Sequence, residues 1–316
     1  MSKDKNKKLT RKITRGAFLS FYWLMRHLPY NLVIGIAGVT MSIAYPFLIR
    51  LRRTAKESLT IAFGQDKTPV QIAAIQKKCF RSMGYGMVEM LHYLTHPENV
   101  SAMVYMEGRE HLDEALKRGK GAIVTVAHFG NFPLMMFYCA LQGYKVSSII
   151  RPSRDPKMEE ILLNLRTASG LNTIYAQPRR KCVNECLEVL RNNEILFVPL
   201  DQHSGTAGSV LVDFFGRPAA TATGPIVLAK RTGAAILSMF IVRRENRMQR
   251  VFVEPPMKLI DDPDNDKMLQ ANVQHITDTI ERVVREYPHE WGWMHRRWKI
   301  NPDTHNWAKK KRVQST

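Results

Sequence analysis

The sequence predicts an α/β fold: a mainly parallel central sheet flanked by helices, with an N-terminal membrane-associated helical segment. Three observations predict it. Apolar, β-branched runs of strand length alternate with segments of helical period through most of the chain. The clearest of these runs, Ala122 to Ala127, passes directly into the polar turn His128-Phe129-Gly130-Asn131 and then into a helix whose first turn suits Pro133. Near the start, two uncharged runs lie between basic clusters.

Composition narrows the function classes. With 316 residues, 45% hydrophobic and 24% charged, the chain can build a substantial core and does not resemble a disordered protein. Lys and Arg (47) outnumber Asp and Glu (28), a formal charge of +19 that calls for a polyanionic partner: nucleic acid, anionic membrane or a phosphorylated substrate. Without a zinc finger, an RNP-type aromatic motif or a basic zipper, nucleic acid is not expected as a partner. Cys79, Cys139, Cys182 and Cys186 form no C-x-x-C pair and read as buried thiols of a reducing compartment.

Residues 1–53 read as a basic N-terminus and membrane-anchoring helical segment. Lys3 to Arg15 carry seven bases against the single acid Asp4, and an apolar stretch follows from Gly16 to Met25. Pro29 marks a break. A second uncharged run, Leu32 to Ile49, is at the short edge of a membrane span, and Arg50, Arg52, Arg53 and Lys56 close it. A single span and a pair of helices dipping into one leaflet both fit. Bases on both flanks favour the cytoplasmic side for each end, and no cleavage site marks a removable signal peptide.

Residues 54–300 read as the α/β domain. Helical period marks Thr68–His96, Glu110–Lys117, Lys157–Ala168, Arg180–Arg191, Thr223–Arg231 and Lys267–Glu286. Strand character marks Ala122–Ala127, Lys145–Ile150, Asn172–Tyr175, Glu194–Leu200, Ala234–Val242 and Val251–Glu254. Residues 301–316 read as a basic tail, with Lys309 to Arg312 as a solvated patch near anionic lipid.

Three polar groups fall at carboxyl ends of expected strands: His128, Arg151 and Asp201. In an open α/β sheet such ends converge on one crevice. A histidine there suits a general base, since its pKa lies near working pH. An arginine fork suits phosphate or carboxylate, and the aspartate could orient the imidazole or hold a substrate hydroxyl. His128 and Asp201 are therefore the catalytic candidates; Arg151, Asn131, Gln202 and Thr223 are the substrate-binding ones. Thr223 stands at a helix start, where its hydroxyl could hold phosphate or simply cap the helix. Glu89 and His92 are one helical turn apart and read as a local pair. The stretch Glu290 to Lys299, EWGWMHRRWK, interleaves tryptophans with bases, as at a membrane interface or an anionic amphiphile; docking on the core is the alternative.

Taken together and in this order, EGREHLDEALKRGKGAIVTVAHFGNF, RPSRDP, VPLDQHSG with VDFFGRPAATATG, and WGWMHRRWK resemble the bacterial late acyltransferases of lipid A biosynthesis, within the lysophospholipid acyltransferase superfamily. The resemblance spans most of the chain. It implies an α/β fold, a site on the cytoplasmic side of the bacterial inner membrane, lipid A as acceptor and an acyl or glycyl carrier protein as thioester donor, with no cofactor and no metal. The family pattern is a histidine, four residues, then an acid. Here the position after that spacing is Pro133, which cannot orient an imidazole. Asp201, then Glu89, are the acids that could replace it. A divergent branch that transfers glycine to lipid A would suit a shifted pair as well as fatty acyl transfer does, and an inactive lipid-binding scaffold is the alternative class.

Overall fold

In the computed structural model, which describes residues 2–205 and 208–299, two helices open the chain, α1 Ser2–His27 and α2 Tyr30–Ala44. Helix α3, Ile49–Phe63, runs across the boundary expected at residue 53. Helix α4, Pro69–Thr95, begins with a capping box: Thr68 Oγ1 accepts from the Gln71 N–H and Gln71 Oε1 accepts from the Thr68 N–H. Met25, Val33, Ala37, Val88 and Leu91 pack α1, α2 and α4 into one cluster. The apolar segment Tyr30–Phe47 is long and apolar enough to cross a membrane. It lies along α4 by one face and leaves Leu32, Val39, Ile43 and Phe47 exposed.

The remaining elements are α5 Val100–Met103, β1 Val104–Glu107, α6 Arg109–Lys117, β2 Ala122–Val126, α7 Phe132–Leu141, β3 Val146–Ile150, α8 Pro156–Ala168, β4 Leu171–Tyr175, α9 Arg179–Arg191, β5 Ile195–Pro199, β6 Ser209–Phe214, β7 Arg217–Ala222, α10 Gly224–Thr232, β8 Ala235–Arg243, β9 Gln249–Val253 and α11 Asn265–Glu286. Seven strands form one sheet in the order β1-β9-β8-β2-β5-β3-β4. Its pairings are parallel except β8 with β9, so β1 and β9 form a reversed edge on a five-stranded parallel body. The expected mainly parallel sheet flanked by helices is the fold observed.

Strand β2 shows why. Its side chains alternate between two cores: Ile123 joins the layer with α9, α10 and α11, and Ala122, Val124 and Val126 join the layer with α6 and α7. A strand buried on both faces must be apolar or have its polar groups paired: four of its five residues are apolar, and the hydroxyl of the fifth, Thr125, bonds to the Leu237 carbonyl and Ser238 Oγ. All four cysteines are buried and free.

The helices α3 and α5, the strand β1 and the hairpin β6–β7 had no sequence expectation. The hairpin turns at Phe215 and Gly216, both with positive φ (55° and 73°). A primed turn normally announces itself by Asn-Gly or Asp-Gly, and phenylalanine is an uncommon occupant. Here the Phe215 N–H is held by Glu281 and the Gly216 N–H by Asp213.

The tryptophan-rich stretch corrects an expectation. Trp291 and Trp293 are fully buried in the core. Each indole N–H finds an internal acceptor: Asp201 for Trp291, the Pro288 carbonyl for Trp293 and the Phe214 carbonyl for Trp298. With none of these three indole donors left unpaired, burial wins over exposure to an interface. The expected tail, 301–316 with Lys309 to Arg312, lies outside the described residues.

Candidate active site

Strands β2 and β5 are direct neighbours in parallel register, with Val126 opposite Pro199. The chain leaves both at the same sheet rim, and the residues two steps beyond are His128 and Asp201. They meet: His128 Nδ1 lies 2.8 Å from Asp201 Oδ1. The His128 backbone N–H donates to Asp201 Oδ2 at 2.8 Å, and the Trp291 indole N–H donates to the same oxygen at 2.8 Å. Three donors thus fix a carboxylate that has no exposed surface, while 27% of the histidine side chain remains open.

The loop carrying His128 is held from two sides. Gly130 has φ +55°, and a Cβ there would lie 2.0 Å from the Ile241 carbonyl oxygen, so no larger residue fits. On the other side the strap after α11 pairs with the loop like an added strand. Gly292 N–H donates to the His128 carbonyl (2.9 Å), and Gly130 N–H donates to the Glu290 carbonyl (2.8 Å). Asn131 Oδ1 caps α7 at the Leu134 N–H, and its Nδ2 donates to the Gly86 carbonyl on α4. Pro133 occupies the first turn of α7, where a missing N–H costs nothing.

The electrostatics are those of a coupled pair. Burial alone would lower the His128 pKa, but the charge of Asp201 and the hydrogen bond to it outweigh burial and raise it. Burial alone would raise the Asp201 pKa, but His128, the His128 N–H and Trp291 lower it. The carboxylate therefore stays ionised and accepts from Nδ1–H, which leaves the lone pair on Nε2, facing outward. Gln202 Nε2 is 3.0 Å from that nitrogen and 3.3 Å from His295 Nε2. Gln202 is exposed, so an incoming group can displace it. The His295 ring stands 5.0 Å from the His128 ring, and its pKa is lowered by burial and then by His128. Arg297, buried, donates to the Gln202 and Ala220 carbonyls and to Thr221 Oγ1.

The other expected site residues lie as follows. Arg151 is exposed just beyond β3, the neighbour of β5 on the side away from β2, roughly two strand spacings (~10 Å) from the β2 end. Two of the expected substrate-binding residues have a structural job instead. Asn131 is 4% exposed and engaged by the cap and the α4 carbonyl. Thr223 is 5% exposed, and both its N–H and its hydroxyl donate to the Gly208 carbonyl. Neither presents a free polar group beside the imidazole. Glu89 is fully buried under Arg243, Gln249 and Tyr30, all of which donate to its carboxylate, and it does not touch His128. Trp291, His295 and Arg297 were not among the site residues expected from sequence; their signal was the density of Trp, His and Arg after α11, which carries no indication of which strand end it covers.

The family model described as bacterial lipid A biosynthesis acyltransferase matches residues 1–300. The chain is similar to the lipid A biosynthesis palmitoleoyltransferase of Escherichia coli (strain K12), 26% identical over 290 residues covering 90% of each chain. It is also similar to the lipid A biosynthesis lauroyltransferase of the same strain, 22% identical over 287 residues, 89% of this chain and 90% of that one. A phosphatidylinositol mannoside acyltransferase of Mycobacterium tuberculosis is 29% identical over 131 residues, 41% of each.

Proposed function

This chain belongs to the bacterial lipid A biosynthesis acyltransferase family, and from that premise we propose that His128 and Asp201 form the catalytic pair of an acyl transfer onto a lipid A hydroxyl. The single observation that carries the reading is the 2.8 Å bond between His128 Nδ1 and a buried carboxylate on the next strand. Nε2 takes the proton from the acceptor hydroxyl as its oxygen attacks the carbonyl of a thioester. The C–S bond breaks, the ester forms, and the imidazolium returns its proton to the leaving thiolate. Asp201 fixes the tautomer and stabilises the imidazolium without accepting the proton. Gln202, beside Nε2, contacts the entering hydroxyl, and Arg151 at the same rim contacts substrate phosphate. Pro133, the reason to consider an inactive scaffold, removes no proton-handling group from this arrangement, because the acid comes from β5.

The donor is an acyl or glycyl group on a carrier protein, and the protein works at the cytoplasmic face of the inner membrane. Support for the membrane comes from the apolar face of α1 and α2, where Leu19, Trp23, Leu32, Val39, Ile43 and Phe47 are exposed between the basic clusters of residues 3–15 and 50–56.

The test is mass spectrometry of lipid A from cells carrying no gene, the wild type or His128→Ala. An added mass of a fatty acyl chain or of glycine, present only with the wild type, is expected and also identifies the donor. General-base removal lowers rates about 10²–10⁴-fold. Unchanged modification by folded His128→Ala protein would exclude the role.

A further inference from the structure

A cleft of about 410 Å³ lies between α3 and the strap after α11, lined by Thr54, Glu57, Ser58 and Ile61 on one side and by residues 296–299 on the other. The α3 residues recur at helical spacing, so they form one face. Opposite them stand three cations, Arg296, Arg297 and Lys299, against the single carboxylate Glu57, which already faces Arg53 at 3.8 Å.

Arg297 is the unusual member. It is 1% exposed, and its bonds go to two carbonyls and one hydroxyl, all neutral. Its Nε–H has no acceptor among the described residues, and no carboxylate among them pairs with it. A buried guanidinium without a directly bonded counter-charge is costly: burial pushes its pKa down to about 10 against the charge of Asp201, which raises it but whose oxygens already accept from His128 and Trp291. An anion in the cleft would supply that direct partner. Three cations with the hydroxyls of Thr54 and Ser58 suit a multiply charged oxyanion such as phosphate better than a singly charged carboxylate or an apolar chain.

The cleft is coupled to the histidine. Ser58 Oγ donates to the His295 carbonyl at 3.4 Å, Arg297 holds the Gln202 carbonyl, and the side chains of His295 and Gln202 converge on His128. A ligand in the cleft and a hydroxyl at Nε2 would thus both touch the strap after α11 or residues it holds.

We propose that this cleft is a phosphate-binding subsite, with Arg296, Arg297 and Lys299 as its ligands, that takes a phosphate group of a substrate. The binding claim stands on the cleft alone. Assigning the phosphate to a substrate of acyl transfer rests on the function proposed above. Two substrates can supply that chemistry: a phosphorylated lipid acceptor, and the phosphodiester of a carrier protein's prosthetic arm.

The experiment uses the full chain in detergent micelles. Inorganic phosphate is titrated into the wild type, R296A/K299A and the control K117A/K120A, and read by tryptophan fluorescence, because Trp298 lines the cleft. Arg296 and Lys299 are exposed, so the double variant keeps its core. Lys117 and Lys120 precede β2 at the opposite end of the sheet. Saturable binding at least tenfold weaker in R296A/K299A and unaltered in the control is expected. A rise of KM in R296A/K299A for phosphorylated lipid A, absent for phosphatase-treated lipid A, assigns the phosphate to the acceptor. A rise for the carrier-bound donor instead assigns it to the donor arm. No saturable response to phosphate, or equal weakening in both double variants, overturns the subsite. If phosphate binds but no transfer to lipid A occurs, the subsite stands and the proposed reaction falls.

Discussion

Replacing Asp201 by asparagine tests the proposed pair with almost no change in shape. The carboxylate receives three donors on two oxygens: Nδ1–H of His128 on Oδ1, and the His128 N–H and Trp291 Nε1–H on Oδ2. An amide has one acceptor oxygen. The two donors on the Oδ2 side include a backbone N–H and an indole that cannot rotate away, so the oxygen takes that side and the NH₂ faces Nδ1. The imidazole must then present its Nδ1 lone pair and carry its proton on Nε2, the atom that should receive the substrate proton. Loss of the general base lowers the rate about 10²–10⁴-fold, or roughly 3–5 kcal/mol at 1.36 kcal/mol per decade. The pH dependence moves too. The charge of Asp201 holds the His128 pKa up against burial, so without it the pKa falls and the acidic limb of residual kcat/KM shifts to lower pH. Stability changes in a defined window. The Asp201 pKa is depressed in the fold, so its contribution is complete above the ordinary carboxylate pKa of about 4 and is lost as pH falls through the folded value. The raised His128 pKa gives the converse: its contribution is complete below about 6.5 and is lost as pH rises through the folded value. Thermal melts across pH should therefore show an acid-side loss in the wild type that Asp201→Asn lacks. Radiolabelled transfer to lipid A, measured across pH on both proteins, reads rate and limb together. A variant within threefold of the wild-type rate, with the same acidic limb, would refute the pairing.

Three further outcomes are expected. Trp291→Phe removes one donor from Asp201 and leaves a smaller aromatic ring in its place, so activity should fall by about tenfold, the equivalent of one hydrogen bond to a charged group, with the acidic limb shifting because one stabiliser of the carboxylate is gone. Glu89→Gln breaks a buried pair with Arg243 and should cost about 3–5 kcal/mol in chemical denaturation, while the acidic limb of the protein that remains folded stays where it is; loss of that limb would transfer the acid role to Glu89. Ile43→Ser with Phe47→Ser removes two exposed apolar side chains, each contributing about 1.5–3 kcal/mol when buried in lipid, so partition onto anionic vesicles should weaken by at least about 10²-fold in sedimentation, and unchanged partition would remove this face as the membrane contact.

Much of this molecule was legible in the chain alone because its determinants are local. A strand buried on both faces has to be almost wholly apolar, so Ala122–Val126 and Ile195–Pro199 announced themselves, and their last residues pointed to His128 and Asp201 as groups at strand ends. The helical period of Thr68–His96 located α4 to within a residue at each end. What no local pattern carries is which strands are neighbours. The order β2 beside β5 turns two rim residues seventy-three positions apart into a bonded pair and answers the absence of an acid at position 133. The same non-local choice buries Glu89 under Arg243, commits Asn131 to α4 and sends Trp291 inward to Asp201 rather than outward to lipid. An indole, a guanidinium or a carboxylate is indifferent between solvent, bilayer and core until a partner is in reach, and only the packed chain supplies the partner.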